Sequence, residues 1–228
     1  MMNDAAAPTQ AVGTVGTVEK PAMRGVLHQV AAVVAVFAGG GLTLWAATTR
    51  GAVSALLFTL SVVTLFTVSA TYHRINWSPK RRAMMRRADH ASIFILIAGT
   101  YTPMAIAALP PALGQKMLLI VWAGAAVGVL QSLFWIHAPK IVAPAIAVAL
   151  GWVVIIFWKE TVEALSATEM GLIFAGGVAY TLGAVAYAAK RPNPSPKVFG
   201  YHEVFHAMTL VGAGLHYVAI VSMVGRAT

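Results

Sequence analysis

No cysteine occurs anywhere in these 228 residues, and only 10% of them are charged. The first absence excludes disulfide scaffolds and thiolate metal sites, and it leaves the redox compartment open. The second excludes an ordinary water-soluble domain, in which about a quarter of residues are charged. Acid is scarcest of all, with seven Asp and Glu against sixteen Lys and Arg and a net charge of +9. That charge does not point to nucleic acid. No basic face interleaved with aromatics lies within any apolar block, so the electrostatic footprint of such a partner is missing. What fills the chain instead is hydrophobic residues, 59% of the total. They come in blocks of about twenty, the length a helix needs to cross the roughly 30 Å hydrocarbon core.

The expected fold is therefore all-α, a seven-transmembrane helix bundle, with spans near 26–48, 52–73, 90–109, 117–136, 141–158, 170–189 and 200–224. Residues 1–19, rich in Ala, Thr, Gly and Val without a helical period, read as a disordered cytosolic tail. They lack the charged start and sustained apolar run of a secretory signal. Residues 20–228 read as a single membrane domain. The fifth span is expected to be the shortest; it holds Pro144, and its length suits little tilt or a place inside the bundle. The run from Arg191 to Lys197, with three prolines, cannot be helical and separates the last two spans. Trp45, Trp135 and Trp158 fall near expected span ends, as interfacial anchors do. Gly124 and Gly128 form a GxxxG pattern, read as close packing within the chain.

Orientation follows from the basic residues. One side receives Lys20, Arg24, the six from Arg74 to Arg87, Lys140, Lys190, Arg191 and Lys197, twelve of the sixteen. The other receives only Arg50, Lys116, Lys159 and Arg226. The positive-inside rule predicts a cytosolic N-terminus, an exterior C-terminus and anionic headgroups as partners at the cytosolic face. The expected location is the plasma or inner cell membrane.

An ionisable side chain in hydrocarbon is costly, so each one near a span needs a reason. With this orientation Ser69 and His73 close the second span, Asp89 opens the third, and His202 and His206 open the seventh, all at similar depth near the inner leaflet. His202 and His206 stand four apart on one helical face, about 6 Å apart along the axis, a spacing at which two imidazoles bind one ion. A third histidine from another helix completes the three-ligand pattern of catalytic zinc, with a fourth position for water. His73 is the candidate. Asp89 suits a general base beside that water, and Ser69 a hydrogen bond to Asp89 or to a substrate carbonyl. His28 reads as interfacial and His90 as core or capping, pointing about 100° from Asp89. His137 falls in a loop. His216 lies about 15 Å deeper than His206, too far to share an ion, and is expected to pair within the bundle.

These stretches carry a resemblance. Ser69-Ala-Thr-Tyr-His73-Arg, Arg86-Arg-Ala-Asp89-His90-Ala-Ser-Ile-Phe, Ala98-Gly-Thr-Tyr-Thr-Pro103 and Gly200-Tyr-His202-Glu-Val-Phe-His206 resemble the bacterial hemolysin III family. The opening Lys20-Pro21 and Arg24-Gly25-Val-Leu-His28 fit as well. That family belongs with the progestin and adipoQ receptors and is more distantly similar to the alkaline ceramidases. The resemblance implies seven helices, a cytosolic N-terminus and a zinc ion on His73, His202 and His206, with Asp89 near the zinc-bound water and Ser69 beside it. It also implies hydrolysis of a lipid amide and a role in membrane lipid homeostasis, with membrane lipid as substrate.

Other readings compete with this one. His202-Glu203-Val204-Phe205-His206 matches HExxH, which in an intramembrane metalloprotease makes Glu203 the general base and Asp89 the third ligand. Those enzymes place their Asp after that helix; here it comes before. A sensor, receptor or haemolysin-like pore would use zinc only to brace helices. A pore predicts polar residues through the full depth of several spans, and the outer halves here are nearly all apolar. A bis-histidine haem is disfavoured because His202 and His206 on one helix suit a small ion.

Overall fold

The computed structural model describes residues 20–135, 137–139 and 141–226. The tail assigned to residues 1–19, and Lys140 of the charge count, lie outside them. Among the described residues seven helices are long and apolar enough to cross a membrane, and there are no strands beyond an isolated bridge at Ser195 and Phe199. They are α1 (Val26–Trp45), α2 (Thr49–Arg74), α3 (Pro79–Ala108), α4 (Pro111–Phe134), α5 (Val142–Ala164), α6 (Ala167–Ala189) and α7 (Tyr201–Gly225). The chain is a multi-pass membrane protein. Large apolar side chains point away from the bundle, among them Phe37, Leu44 and Leu119, each more than 70% exposed. Nothing but lipid suits such a surface.

Helices start where the chemistry permits. Pro79 and Pro111 sit in the first turns of α3 and α4, where a missing N–H costs nothing. Ser166 and Glu169 form a reciprocal capping box at the start of α6. α3 begins well before the expected residue 90. The stretch from Lys80 to Arg87 is basic but made of good helix formers, so the helix runs on past the apolar block. At its other end Pro103 lacks an N–H; the helix widens over Met104–Ala108 and stops before Pro110.

The fifth span departs most from expectation. α5 is not the shortest helix, α1 is, and it continues to Ala164 with Trp158 and Lys159 inside it. Nor is it packed inside the bundle, since Ile155, Ile156, Trp158 and Val162 are exposed. Past Gly151 it tightens into a 3₁₀ turn over Val153–Phe157. The groups freed there are satisfied by one residue of α3. The Tyr101 hydroxyl donates to the Gly151 carbonyl at 2.7 Å and accepts from the Val154 N–H at 2.9 Å. In a membrane a broken helix persists only where such partners exist. The GxxxG glycines pack within the chain, Gly124 against Leu150 of α5 and Gly128 against Phe94 of α3.

The seven helices alternate in direction, so the starts of α1, α3, α5 and α7 share one end with the finishes of α2, α4 and α6. This is the basic end. There Ala22 and Met23 donate backbone hydrogen bonds to the carbonyls of Lys197 and Val198, strapping the start of the described chain to the loop before α7. At the far end Arg226 pairs with the buried Glu169 at 2.9 Å.

Candidate metal centre

Three histidines from two helices meet at the basic end. His73 closes α2, and His202 and His206 occupy the first two turns of α7. Each offers a ring nitrogen, and the three nitrogens lie within 4.8 Å of one another, a group able to hold a metal ion. The rings meet edge to face, with centroids 4.6 to 5.1 Å apart. The Nε2 atoms of His73 and His202 face each other at 3.2 Å. Two neutral acceptors at that distance repel, so either one ring carries its proton between them or both face a shared cation.

The surroundings fix the rings. Gly25, just before α1, has φ of +77°, where glycine is favoured, and a Cβ there would stand 2.8 Å from Cβ of His73. Its bareness lets α1 close onto α2. That approach brings in His28, which sequence reasoning placed at the interface. The structure buries it instead, at 2% exposure, with its ring stacked on His206 at 3.8 Å and 11°. Neither His28 nitrogen has a hydrogen-bond partner among the described residues. His28 could line the site by its place at the start of the first span, but stacking across two helices leaves no mark in local spacing, which is why the interfacial reading came first. Tyr187 of α6 meets the His202 ring edge-on at 5.3 Å.

Asp89 of α3 completes the cluster, with Oδ2 3.8 Å from His73 Nε2. Ser69, buried one turn before His73, faces the same carboxylate. Every residue singled out from sequence for the site thus comes to one place. His90, expected to serve the core or a cap, lines the same cavity as Asp89. His137 is exposed in a turn, and His216 lies deeper, donating to the Ile173 carbonyl at 3.0 Å.

Glu203 is buried but turned to other work. Its Oε1 takes Arg24 Nε at 2.5 Å, and its Oε2 accepts the Gly200 N–H at 2.8 Å. It sits in the first turn of α7, where a carboxylate satisfies orphan donors and meets the positive end of the helix dipole. Each oxygen of the Glu203 carboxylate is thus already engaged by a donor of its own.

The cluster opens on a cavity of about 620 Å³. Asp89, Ile93 and Ile97 follow one another down the face of α3 that lines it, and every other helix contributes to the wall. The exposed lining is more apolar than polar, and away from the three histidines it still includes Thr100, Tyr101, Tyr180, Thr181 and His216.

The sequence matches known proteins over most of its length. Residues 17–217 match the family described as Haemolysin-III related. The chain is 30% identical over 168 residues to the Hemolysin-3 homolog of Bacillus subtilis (strain 168), covering 74% of this chain and 76% of the relative. It is 27% identical to Hemolysin-3 of Bacillus cereus, over 76% of each chain. It is 26% identical to the heptahelical transmembrane protein ADIPOR2 of Oryza sativa subsp. japonica, over 72% of this chain and 79% of the other. The chain belongs to the haemolysin-III-related family, within the progestin and adipoQ receptor superfamily.

Proposed function

We propose that His73, His202 and His206 hold a zinc ion, and that the protein hydrolyses an acyl amide or ester of a membrane lipid drawn from the cytosolic leaflet, in the service of membrane lipid homeostasis. The basic end then faces the cytosol, following the positive-inside rule, and the membrane is the plasma or inner cell membrane. One observation carries the reading: a three-imidazole donor set beside a largely buried carboxylate, opening on a large cavity whose lining is mostly apolar.

The donor set fits the metal. Ligand nitrogens on a tetrahedral zinc with bonds of about 2.05 Å stand about 3.3 Å apart; the His73 and His202 nitrogens stand 3.2 Å apart, and all three lie within 4.8 Å of one another, so His206 has only to close in slightly. A zinc ion there supplies Lewis acidity, polarising a carbonyl and acidifying water. Asp89, with Oδ2 3.8 Å from His73 Nε2, would take the proton of an attacking water and deliver it to the leaving amine or alcohol. Ser69 orients the Asp89 carboxylate. The apolar wall from Ile93 inward holds an acyl chain and keeps bulk water from the reacting bond.

Elemental analysis of the purified protein tests the metal, with one zinc per chain expected and a His202→Ala control near zero. Turnover of a lipid amide or ester in defined bilayers tests the chemistry. Asp89→Asn keeps the zinc and loses turnover by about 10²-fold or more. Stoichiometric zinc with no turnover of any acyl lipid would replace the enzyme with a receptor braced by its metal.

A further inference from the structure

The mouth of the cavity is lined by arginine, and its distribution is not explained by topology alone. Arg24, Arg82, Arg86 and Arg87 line the cavity, against a single lining carboxylate, Asp89. Arg24 already has Glu203. Arg82, Arg86 and Arg87 have no ion-pair partner among the described residues, where the pairs are Arg24 with Glu203, His73 with Asp89 and Arg226 with Glu169. Arg87 lines the cavity and its Nε is buried without a hydrogen-bond partner, a costly state for a charged donor. Lys80 and Arg81, equally basic and on the same helix, do not line the cavity. A rule that merely retains positive charge on one side of a membrane has no reason to sort α3 into these two sets.

The helical rise gives the arrangement a scale. Arg86 precedes Asp89 by one turn and Arg82 by two, about 5 and 10 Å toward the basic end. Arg82 is held in place over the Tyr72 ring, 5.3 Å from its centroid. Nearby, partial burial, and then Arg82, Arg24 and Arg74, hold the Lys20 ammonium pKa below its ordinary value. Guanidinium forks at that distance from the reacting centre match an anion separated from an acyl carbonyl by a glycerol or amino-alcohol backbone.

We propose that Arg82, Arg86 and Arg87 form a phosphate-binding subsite, so that the lipid taken by this cavity carries a phosphate headgroup rather than the neutral head of a ceramide. As a statement about substrate the proposal rests on the hydrolase reading; as a statement about binding it stands without turnover. The same forks would also take a soluble phosphate monoester, and the test separates the two sources.

Lipid binding to the detergent-purified protein is measured by native mass spectrometry for phosphatidylglycerol and for neutral diacylglycerol, with inorganic phosphate and glycerol 3-phosphate in separate arms. The wild type is expected to prefer phosphatidylglycerol, and R86Q/R87Q to lose about tenfold or more of that preference, the loss of one charge-assisted contact or more. K80Q/R81Q is the control of equal charge, expected to bind as the wild type does. The single variant R86Q, at an exposed position, serves if the double variant does not fold; retained zinc reports folding in each. Loss confined to the phosphatidylglycerol arm assigns a lipid headgroup, whereas loss confined to the glycerol 3-phosphate arm assigns a soluble phosphate. Equal loss in R86Q/R87Q and K80Q/R81Q, or none in either, overturns the subsite. If R86Q/R87Q loses binding while the wild type turns over no acyl lipid, the hydrolase reading fails and the subsite stands. If neutral lipid is hydrolysed equally by wild type and R86Q/R87Q without phosphate preference, the reverse holds.

Discussion

Replacing Glu203 with glutamine separates two chemistries that the sequence writes identically. The substitution is isosteric. The amide oxygen can still accept the Gly200 N–H, but the attraction for Arg24 is gone. Removing one partner of a wholly buried ion pair costs about 3–5 kcal/mol, and an exposed pair is worth about 0–1 kcal/mol. Here the Glu203 side chain is 1% exposed and that of Arg24 is 23% exposed, so the guanidinium retains part of its water. The expected cost lies between those limits, about 1–3 kcal/mol. A cycle through Arg24→Gln and the double variant should return a coupling of about 1–2 kcal/mol, because the second substitution removes the stranded charge. Unfolding in detergent, followed by tryptophan fluorescence, supplies the free energies, and elemental analysis supplies the zinc. The destabilised Glu203→Gln protein should keep its full zinc complement and most of its turnover. An unchanged unfolding curve together with abolished turnover would refute the reasoning and restore Glu203 as the general base of an HExxH site.

Tyr101→Phe leaves the Gly151 carbonyl and the Val154 N–H without their partner, and should cost about 2–6 kcal/mol at about 1–3 kcal/mol per stranded buried group; unfolding in detergent checks this. His28→Ala removes the ring stacked on His206 and should weaken zinc about tenfold or more in competition with a chelator, while His28→Phe retains most of the affinity. Gly25→Ala must escape both its positive φ and the His73 Cβ, and should lower zinc occupancy and stability together. Metal retention should fall on acidification, since only neutral imidazole binds the ion and protons compete with it for the ring nitrogens; dialysis at a series of pH values reads it directly.

The bundle was legible because hydropathy reports burial in lipid directly, and all seven apolar blocks became helices. Their ends were less so. Hydropathy marks where the bilayer stops and not where the backbone ladder stops, so the basic turns of α3 before residue 90 read as loop. The break in α5 read as a span end at Trp158 for a related reason: Tyr101, which makes the break tolerable, lies more than forty residues away in sequence. The candidate site was legible because isolated polar residues in an apolar chain stand out, and helix direction then gave their depth. His28 shared that depth and was still discounted. Its partner sits on another helix, and only the tight approach at Gly25 brings the two rings face to face.

The division of the metal centre between α2 and α7 has a consequence for how the protein is made. His73 enters the bilayer early in synthesis, while His202 and His206 leave the ribosome close to the end. Until the last helix is inserted there is nothing for the ion to bind, and a chain cut short before residue 206 gives at most a set of inert spans. Under the proposed reading, metal loading reports that translation and insertion have reached the final segment, and a nascent chain stalled in the translocon could not acquire a metal-dependent activity prematurely.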